Sequence, residues 1–486
     1  MKKAPVSGFL KRLPAWSASL ALFGALMFPA AVSAEQATKE QQYKEVYQLI
    51  HQMHINGSSV KESENGSIEE LIGSLNDPYT DYFDEKEWNS FNNSIQLNYP
   101  GIGMRLGHDE GGYIAVQIFE GSPAEKAGMK RGDYIVAVAD KPTADMTLNE
   151  VTELVRGPKG TEVSITVRRG GEELNLKPKR GQIHLPVVDG GMMEGQIGYL
   201  NIDSFSEDAD ELFALMLSDL KYRKIKGLVV DLRDNPGGYL ETAKHIAEQF
   251  IPEGVLIHTR DRDDIDEPLE ILNGKTVEFP VVILVNENSA SASEVLTAAM
   301  QDYHKATAVG TKTYGKGSVQ GLYPLESGGV LKLTIQEYLS PKKRTVNNVG
   351  LTPDVNTEGY VPQLLIGLHT AGLKELRLEV FRHTYKVNGL EFFDVGLPRL
   401  KLDDKDYLPA RVLAAFAGKP LEWNDTAAGV DIGAGAERIL FDANSGFRIV
   451  EGTGFIELAK FKEKFPGIEW TSDAEKTVLT TKGNGV

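Results

Sequence analysis

No cysteine occurs among the 486 residues, which removes disulfides, thiolate zinc sites and a cysteine nucleophile at once. Histidine is scarce, nine in all, and none stands in a recognisable metal or nucleophile pattern. A Ser-His-Asp triad built on His304 has no Gly-x-Ser-x-Gly elbow to support it. Basic residues are outnumbered, 52 against 69, for a formal net charge of −17, which argues against a broad nucleic-acid footprint. Long apolar runs are also missing, with one exception near the start. Lys2, Lys3, Lys11 and Arg12 precede an apolar stretch from about Leu13 to Val32, and Val32-Ser33-Ala34 offers the small residues of a cleavage site. The pattern predicts an export signal over residues 1–34, with an uncleaved anchor as the alternative. Either way the working part lies outside the cytoplasmic membrane.

What is present exceeds one ordinary core, so two to four domains are expected. Residues 35–97 read as helical: Tyr43, Val46, Tyr47, Ile50 and Met53 recur at helical spacing, and a second helix stops near Asn76-Asp77-Pro78. Residues 98–181 alternate short strands with two short helices, around Gly101-Ile102-Gly103-Met104, a capped turn at Ser122 to Gly128, a helix from Thr147 to Val155 and a final strand at Val163 to Val167. Residues 182–358 have an α/β pattern, with strands at Ile197 to Ile202, Gly227 to Leu232 and Val281 to Val285 and a helix at Ala209 to Leu220. The acidic run Asp261 to Asp264 lacks the spacing of a calcium loop and reads as a solvated hairpin. A helical connector, 359–384, leads to residues 385–486, where two similar strand–helix lead-ins end in Leu421-Glu422-Trp423 and Ile468-Glu469-Trp470. Two such units, each burying its tryptophan against a helix, predict one small α+β domain.

The chemistry concentrates between Asn286 and Gln320. After the apolar strand ending at Val285, a cluster of serines meets the start of an Ala-rich helix, where unpaired N–H groups and the helix dipole can stabilise an oxyanion. Lys316 follows between Gly315 and Gly317. A serine hydroxyl needs a base to take its proton, and a lysine kept neutral by burial can serve. Two other readings fit the same residues. Ser291 to Glu294 matches a capping box. Gly310 to Lys316 matches the first seven positions of a phosphate-binding loop, but Gly317 replaces the magnesium-binding hydroxyl residue and strand-forming residues follow instead of a helix.

The strand, the serine cluster, Met300 to Tyr303 and Tyr314-Gly315-Lys316-Gly317-Ser318-Val319-Gln320 resemble the active-site signature of the carboxyl-terminal processing, or tail-specific, proteases. The resemblance implies Ser291 as nucleophile, Lys316 as general base and Gln320 as the residue that orients the lysine. It assigns Arg233 to Gly238 to the oxyanion hole, with the N–H groups of Gly237 and Ala292 as donors. Leu75 to Phe83 is similar to the family's segment ahead of its binding module, although a helix stop with aromatic packing explains it equally. Residues 98–181 resemble a PDZ domain whose carboxylate-binding loop is Gly101, Ile102, Gly103 and Met104. In such a loop successive N–H groups capture a chain-terminal carboxylate while the peptide adds to a sheet edge. Residues 385–486 resemble the stalk-type domain named from the N-terminus of copper amine oxidases, here without copper ligands.

The expected fold is multidomain, α/β and α+β: a helical N-terminal region, a PDZ domain, an α/β serine-protease core and a small repeated domain. The expected function is an exported serine endopeptidase that binds polypeptide substrates by their C-termini and needs no metal or cofactor. Envelope components are expected partners of the last domain, nucleic acid is not, and an oligomer is compatible. The alternative is a catalytically silent PDZ scaffold at the envelope.

Overall fold

In the computed structural model, residues 39–63, 66–393 and 396–481 are described. The expected export segment therefore lies outside the described residues. The centre is a six-stranded sheet in the order Val188–Met193, Ile197–Ile202, Gly227–Asp231, Val281–Val285, Thr307–Gly310 and Val355–Asn356. All pairings are parallel except the first. Its two central strands, GLVVD and VVILV, are buried at every position, as a parallel sheet covered on both faces requires. Neighbouring residues serve opposite cores. Val230, Ile283 and Val285 pack with the helices Ala209–Tyr222, Leu240–Ala247 and Ala292–Asp302, while Val229, Val282 and Leu284 pack with the helix Tyr360–Thr370 and the C-terminal region.

Strand order decides where chemistry can occur. Leu228 to Asp231 pair in register with Val281 to Leu284, so the turn after Asp231 and the serine cluster after Val285 emerge side by side at the carboxyl end of the sheet. A second, antiparallel sheet carries the lysine loop into Ser318–Pro324, which pairs with Val330–Leu339. The N-terminal segment joins this sheet: Asp81–Phe83 pairs with Val330 to Lys332, and the helix Lys39–Met53 covers it through Tyr43, Val46 and Ile50. The expected second helix spans only Ile68–Gly73, and an unexpected third, Glu85–Ile95, follows the strand.

In the PDZ region the strand expected to be last, now Ile165–Arg169, is followed by Glu172–Leu176, and Met104–Asp109 forms an edge of the sheet. This region rests on the C-terminal one, where Asp109 pairs with Arg382 and His383, and Arg131 with Glu391.

The C-terminal repeat is plain in the structure. Lys405–Pro409, helix Ala410–Phe416 and Leu421–Asn424 match Thr453–Glu457, helix Leu458–Lys464 and Ile468–Ser472, and the two lead strands pair through Tyr407 and Glu457. The expectation that both tryptophans are buried needs correction. Trp470 packs against the core, but Trp423 is 50% exposed: it stands on the edge strand Leu421–Asn424 of a three-stranded sheet, beside its buried cross-strand partner Val430 and, among the described residues, with no strand on its other side. The expected helical connector ends at Thr370, and Arg377–Val380 instead pairs with Thr477–Thr481.

Candidate active site

The serine cluster follows strand Val281–Val285 through a turn fixed by its own side chains. Asn286 accepts from the Asp234 N–H at 2.9 Å and donates to the Asp234 carboxylate at 2.8 Å, which staples the two strand ends together. Three serines follow and two are consumed by structure. Ser289 is buried and donates to the Leu232 carbonyl at 2.7 Å; Ser293 is buried and donates to the Asn235 carbonyl at 2.9 Å. Each adds a second donor to a carbonyl that already accepts a backbone N–H, Leu232 from Asn235 and Asn235 from Ala290. The Ser291 hydroxyl donates to no carbonyl among the described residues, and Ser291 is part-exposed. Its backbone has φ of 56°, a left-handed conformation costly for a β-carbon residue and characteristic of places where geometry serves a site.

Sequence reasoning missed the residue that locks this arrangement. Glu294 is fully buried. It accepts from the N–H groups of Ser291 at 3.0 Å, Lys316 at 2.8 Å and Gly315 at 2.8 Å, and from the Thr313 hydroxyl at 2.5 Å. Burial raises its pKa, and these donors oppose the rise. The capping-box pattern foresaw only its contact with Ser291. The Tyr338 hydroxyl completes the frame from the carbonyl side, lying 3.3 Å from the Ser291 oxygen and 3.0 Å from that of Lys316. One carboxylate and one phenol thus hold both peptide units, serine and lysine, in a common register.

Glycine on either side lets the lysine loop close. A β-carbon on Gly315 would come within 2.8 Å of the Gly350 nitrogen, and one on Gly317 within 2.2 Å of the Asn347 nitrogen. The Lys316 ammonium lies over the Tyr79 ring, 4.8 Å from its centroid. Burial first, and the neighbouring Lys332 second, push its pKa down to about 8, against the pull of Asp77 and Glu294. A useful fraction is therefore free amine near neutral pH.

Ser291 and Lys316 share no hydrogen bond in this state. Gln320 donates to Ser318 at 2.9 Å and to Thr334 at 3.3 Å, and makes no hydrogen bond to Lys316. Gly237 lies against Ser291: a β-carbon there would be 2.8 Å from that of Ser291 and 3.0 Å from the Ala292 nitrogen. Its N–H, however, donates to the Asn235 side chain at 2.8 Å. The Ala292 N–H, first of its helix, has no acceptor among the described residues. One of the two expected oxyanion donors is thus open and the other is turned inward.

At the PDZ loop the carbonyls point into the domain: that of Ile102 accepts from Ala124 at 2.7 Å and that of Gly103 from Phe119 at 3.1 Å. Gly103 has φ of 78°, and a β-carbon there would strike Ser122 at 2.4 Å. The N–H groups of Ile102 and Gly103 have no acceptor among the described residues. Met104 begins the edge strand, so the loop presents amides where an added strand would end.

Fold and site together define a serine-type peptidase that carries a PDZ domain. The family model described as peptidase family S41 matches residues 196–357, and a PDZ model matches 115–169. The chain is 32% identical over 354 residues to the carboxy-terminal-processing protease of Bartonella bacilliformis, covering 71% of this chain and 81% of that one. It is 32% identical over 333 residues to the carboxy-terminal processing protease CtpB of Bacillus subtilis, covering 67% and 69%. The chain belongs to peptidase family S41, alongside these carboxy-terminal-processing proteases. The silent-scaffold alternative is thereby set aside.

Proposed function

We propose that the chain is an exported serine endopeptidase that engages polypeptide C-termini through the PDZ loop at Gly101 to Met104 and cleaves with a Ser291–Lys316 dyad. The observation that carries this reading is the frame of Glu294 and Tyr338. It ties the backbone of Ser291, the one serine of its cluster whose hydroxyl donates to no carbonyl among the described residues, to that of a lysine buried enough to be a base at neutral pH.

In the proposed reaction the Lys316 amine takes the Ser291 proton as the oxygen attacks the scissile carbonyl. The oxyanion accepts from the Ala292 N–H, and from that of Gly237 once substrate draws it away from Asn235. Collapse breaks the peptide bond while the Lys316 ammonium protonates the leaving amine, and water then hydrolyses the acyl-enzyme by the same route. Gln320 orients the lysine after exchanging a bond with Ser318 or Thr334. Such tightening on substrate binding is common for catalytic hydrogen bonds.

Residues 1–34 would be the export signal or anchor, and 385–486 the stalk-type domain that positions the enzyme at the envelope. The division at 98–181 and 182–358 into binding and protease domains belongs to the same proposal.

Binding and turnover separate in one experiment. Ser291→Ala is expected to lose cleavage of an unfolded protein yet bind a peptide with a free C-terminus as the parent does. An amidated peptide should bind on the order of tenfold more weakly or worse. Equal binding of both peptides would contradict C-terminal recognition, and cleavage by Ser291→Ala would contradict the nucleophile.

A further inference from the structure

The turn from Asn76 to Thr80 is built far more firmly than a helix stop requires. The Asp77 carboxylate accepts from the Thr80 hydroxyl at 2.6 Å, the Tyr79 N–H at 3.0 Å and His54 Nε2 at 3.1 Å. His54 is fully buried, and its Nδ1 accepts from the Asn56 N–H at 3.0 Å, which leaves the proton on Nε2 to be donated to Asp77. Burial pushes the Asp77 carboxyl up, but the hydrogen bonds outweigh it and hold the group well below the usual carboxylate range. Thr80 then accepts from the Thr334 N–H at 3.2 Å, and Asp81 pairs with Lys332. The turn is thereby zipped to the strand whose neighbour carries Gln320.

All of this fixes one ring. Tyr79 presents its face to the Lys316 ammonium, 4.8 Å from centroid to nitrogen, within the range of a cation–π contact. Burial, and next its pairing with Tyr314, push the Tyr79 hydroxyl up to about 12, so the ring is a neutral phenol wherever the enzyme works.

We propose that Tyr79 is a positioning residue of the dyad: its ring face holds the Lys316 amine beside Ser291 and stabilises the ammonium that forms when the serine proton arrives. This rests on the Ser291–Lys316 reading. In the step concerned, the proton leaves the Ser291 oxygen for the Lys316 nitrogen, and the oxygen's electron pair forms the bond to the carbonyl carbon. The charge that appears on Lys316 does so over the ring. Other groups facing the lysine are Asp77 from the same turn, Glu294 from the serine helix and Lys332 from strand Val330–Leu339, while Tyr314, in the lysine's own loop, pairs with Tyr79. The first two favour the ammonium and Lys332 opposes it.

The test is the pH dependence of kcat/KM in the full chain with phenylalanine at position 79, plain or carrying one, two or three fluorines. Fluorine drains the ring face of negative charge and barely changes its shape. Tyr79→Phe is expected to retain kcat/KM within about threefold, since the ring and not the hydroxyl acts. Along the fluorine series the ascending limb should move stepwise to lower pH, by about one unit in total, with kcat falling on the order of tenfold and KM unchanged. A limb that stays fixed across the series overturns the inference, as does a limb that moves to higher pH or a Phe variant as damaged as the most fluorinated one. Lys316→Ala, run beside them, separates the two claims. If it remains active the dyad itself is wrong, whereas if it is dead and the series is flat only the role of Tyr79 fails.

Discussion

Replacing Lys316 with methionine ends turnover and at the same time makes the fold more stable at neutral pH. The loss of activity follows from removing the only base that faces Ser291 in the proposed mechanism, and should reach at least about 10³-fold in kcat/KM. The gain in stability follows from linkage. The lysine titrates near 10.5 unfolded and near 8 folded, chiefly because burial penalises the ammonium. Its folded value is depressed, so below about pH 8 the native state holds a charge that the unfolded state holds more cheaply. That cost is about 3 kcal/mol. It shrinks as pH rises from 8 and is gone above 10.5. Methionine, of similar length and uncharged, escapes the cost. Denaturant unfolding of parent and variant should therefore differ by about 3 kcal/mol at pH 7 and converge by about pH 10.5. A variant less stable than the parent at pH 7 would mean that the lysine is held there by favourable contacts, with no base in reserve.

Glu294→Ala should be the most damaging change in the serine helix. The carboxylate is the acceptor for four donors in a fully buried place, and a buried donor left without a partner costs about 1–3 kcal/mol. Allowing for relaxation, the expected destabilisation is on the order of 4 kcal/mol by thermal or urea unfolding. Activity should fall about 10²-fold or more even below the variant's Tm, because nothing then fixes the lysine loop against the serine turn. Glu294→Gln keeps the shape but offers its amide hydrogens to N–H groups, so it should fall between alanine and parent in both measurements. A stable, active Glu294→Ala would show that Tyr338 alone holds the frame.

Much of the architecture was legible because it is local. The apolar run Val281 to Val285, the Ala-rich helix after it and the duplicated strand–helix units near the C-terminus announce themselves by period and spacing. What was not legible joins distant segments. Nothing in the serine cluster says that Ser289 and Ser293 will be consumed by the carbonyls of Leu232 and Asn235, so the residues alone could not single out Ser291. The resemblance to a family did that. Glu294 stood three residues after Ser291 and was read as a helix cap, since a capping box and a clamp to a remote loop look the same in one dimension. Asn76, Asp77 and Pro78 read as a helix stop, and only the fold brings the turn that follows, with Tyr79, beneath Lys316. Trp423 failed for a related reason: repetition in sequence predicts repetition of backbone, but burial depends on what lies outside the repeat.

The dyad is tested most directly by the rate at which the full chain hydrolyses an unfolded protein across about pH 6 to 10, beside Ser291→Ala and Lys316→Ala. Activity that rises with an apparent pKa near 8 and is absent from both variants is the predicted result. Turnover that survives in Lys316→Ala, or a limb in the parent near the ordinary lysine value, would contradict a buried lysine as the base.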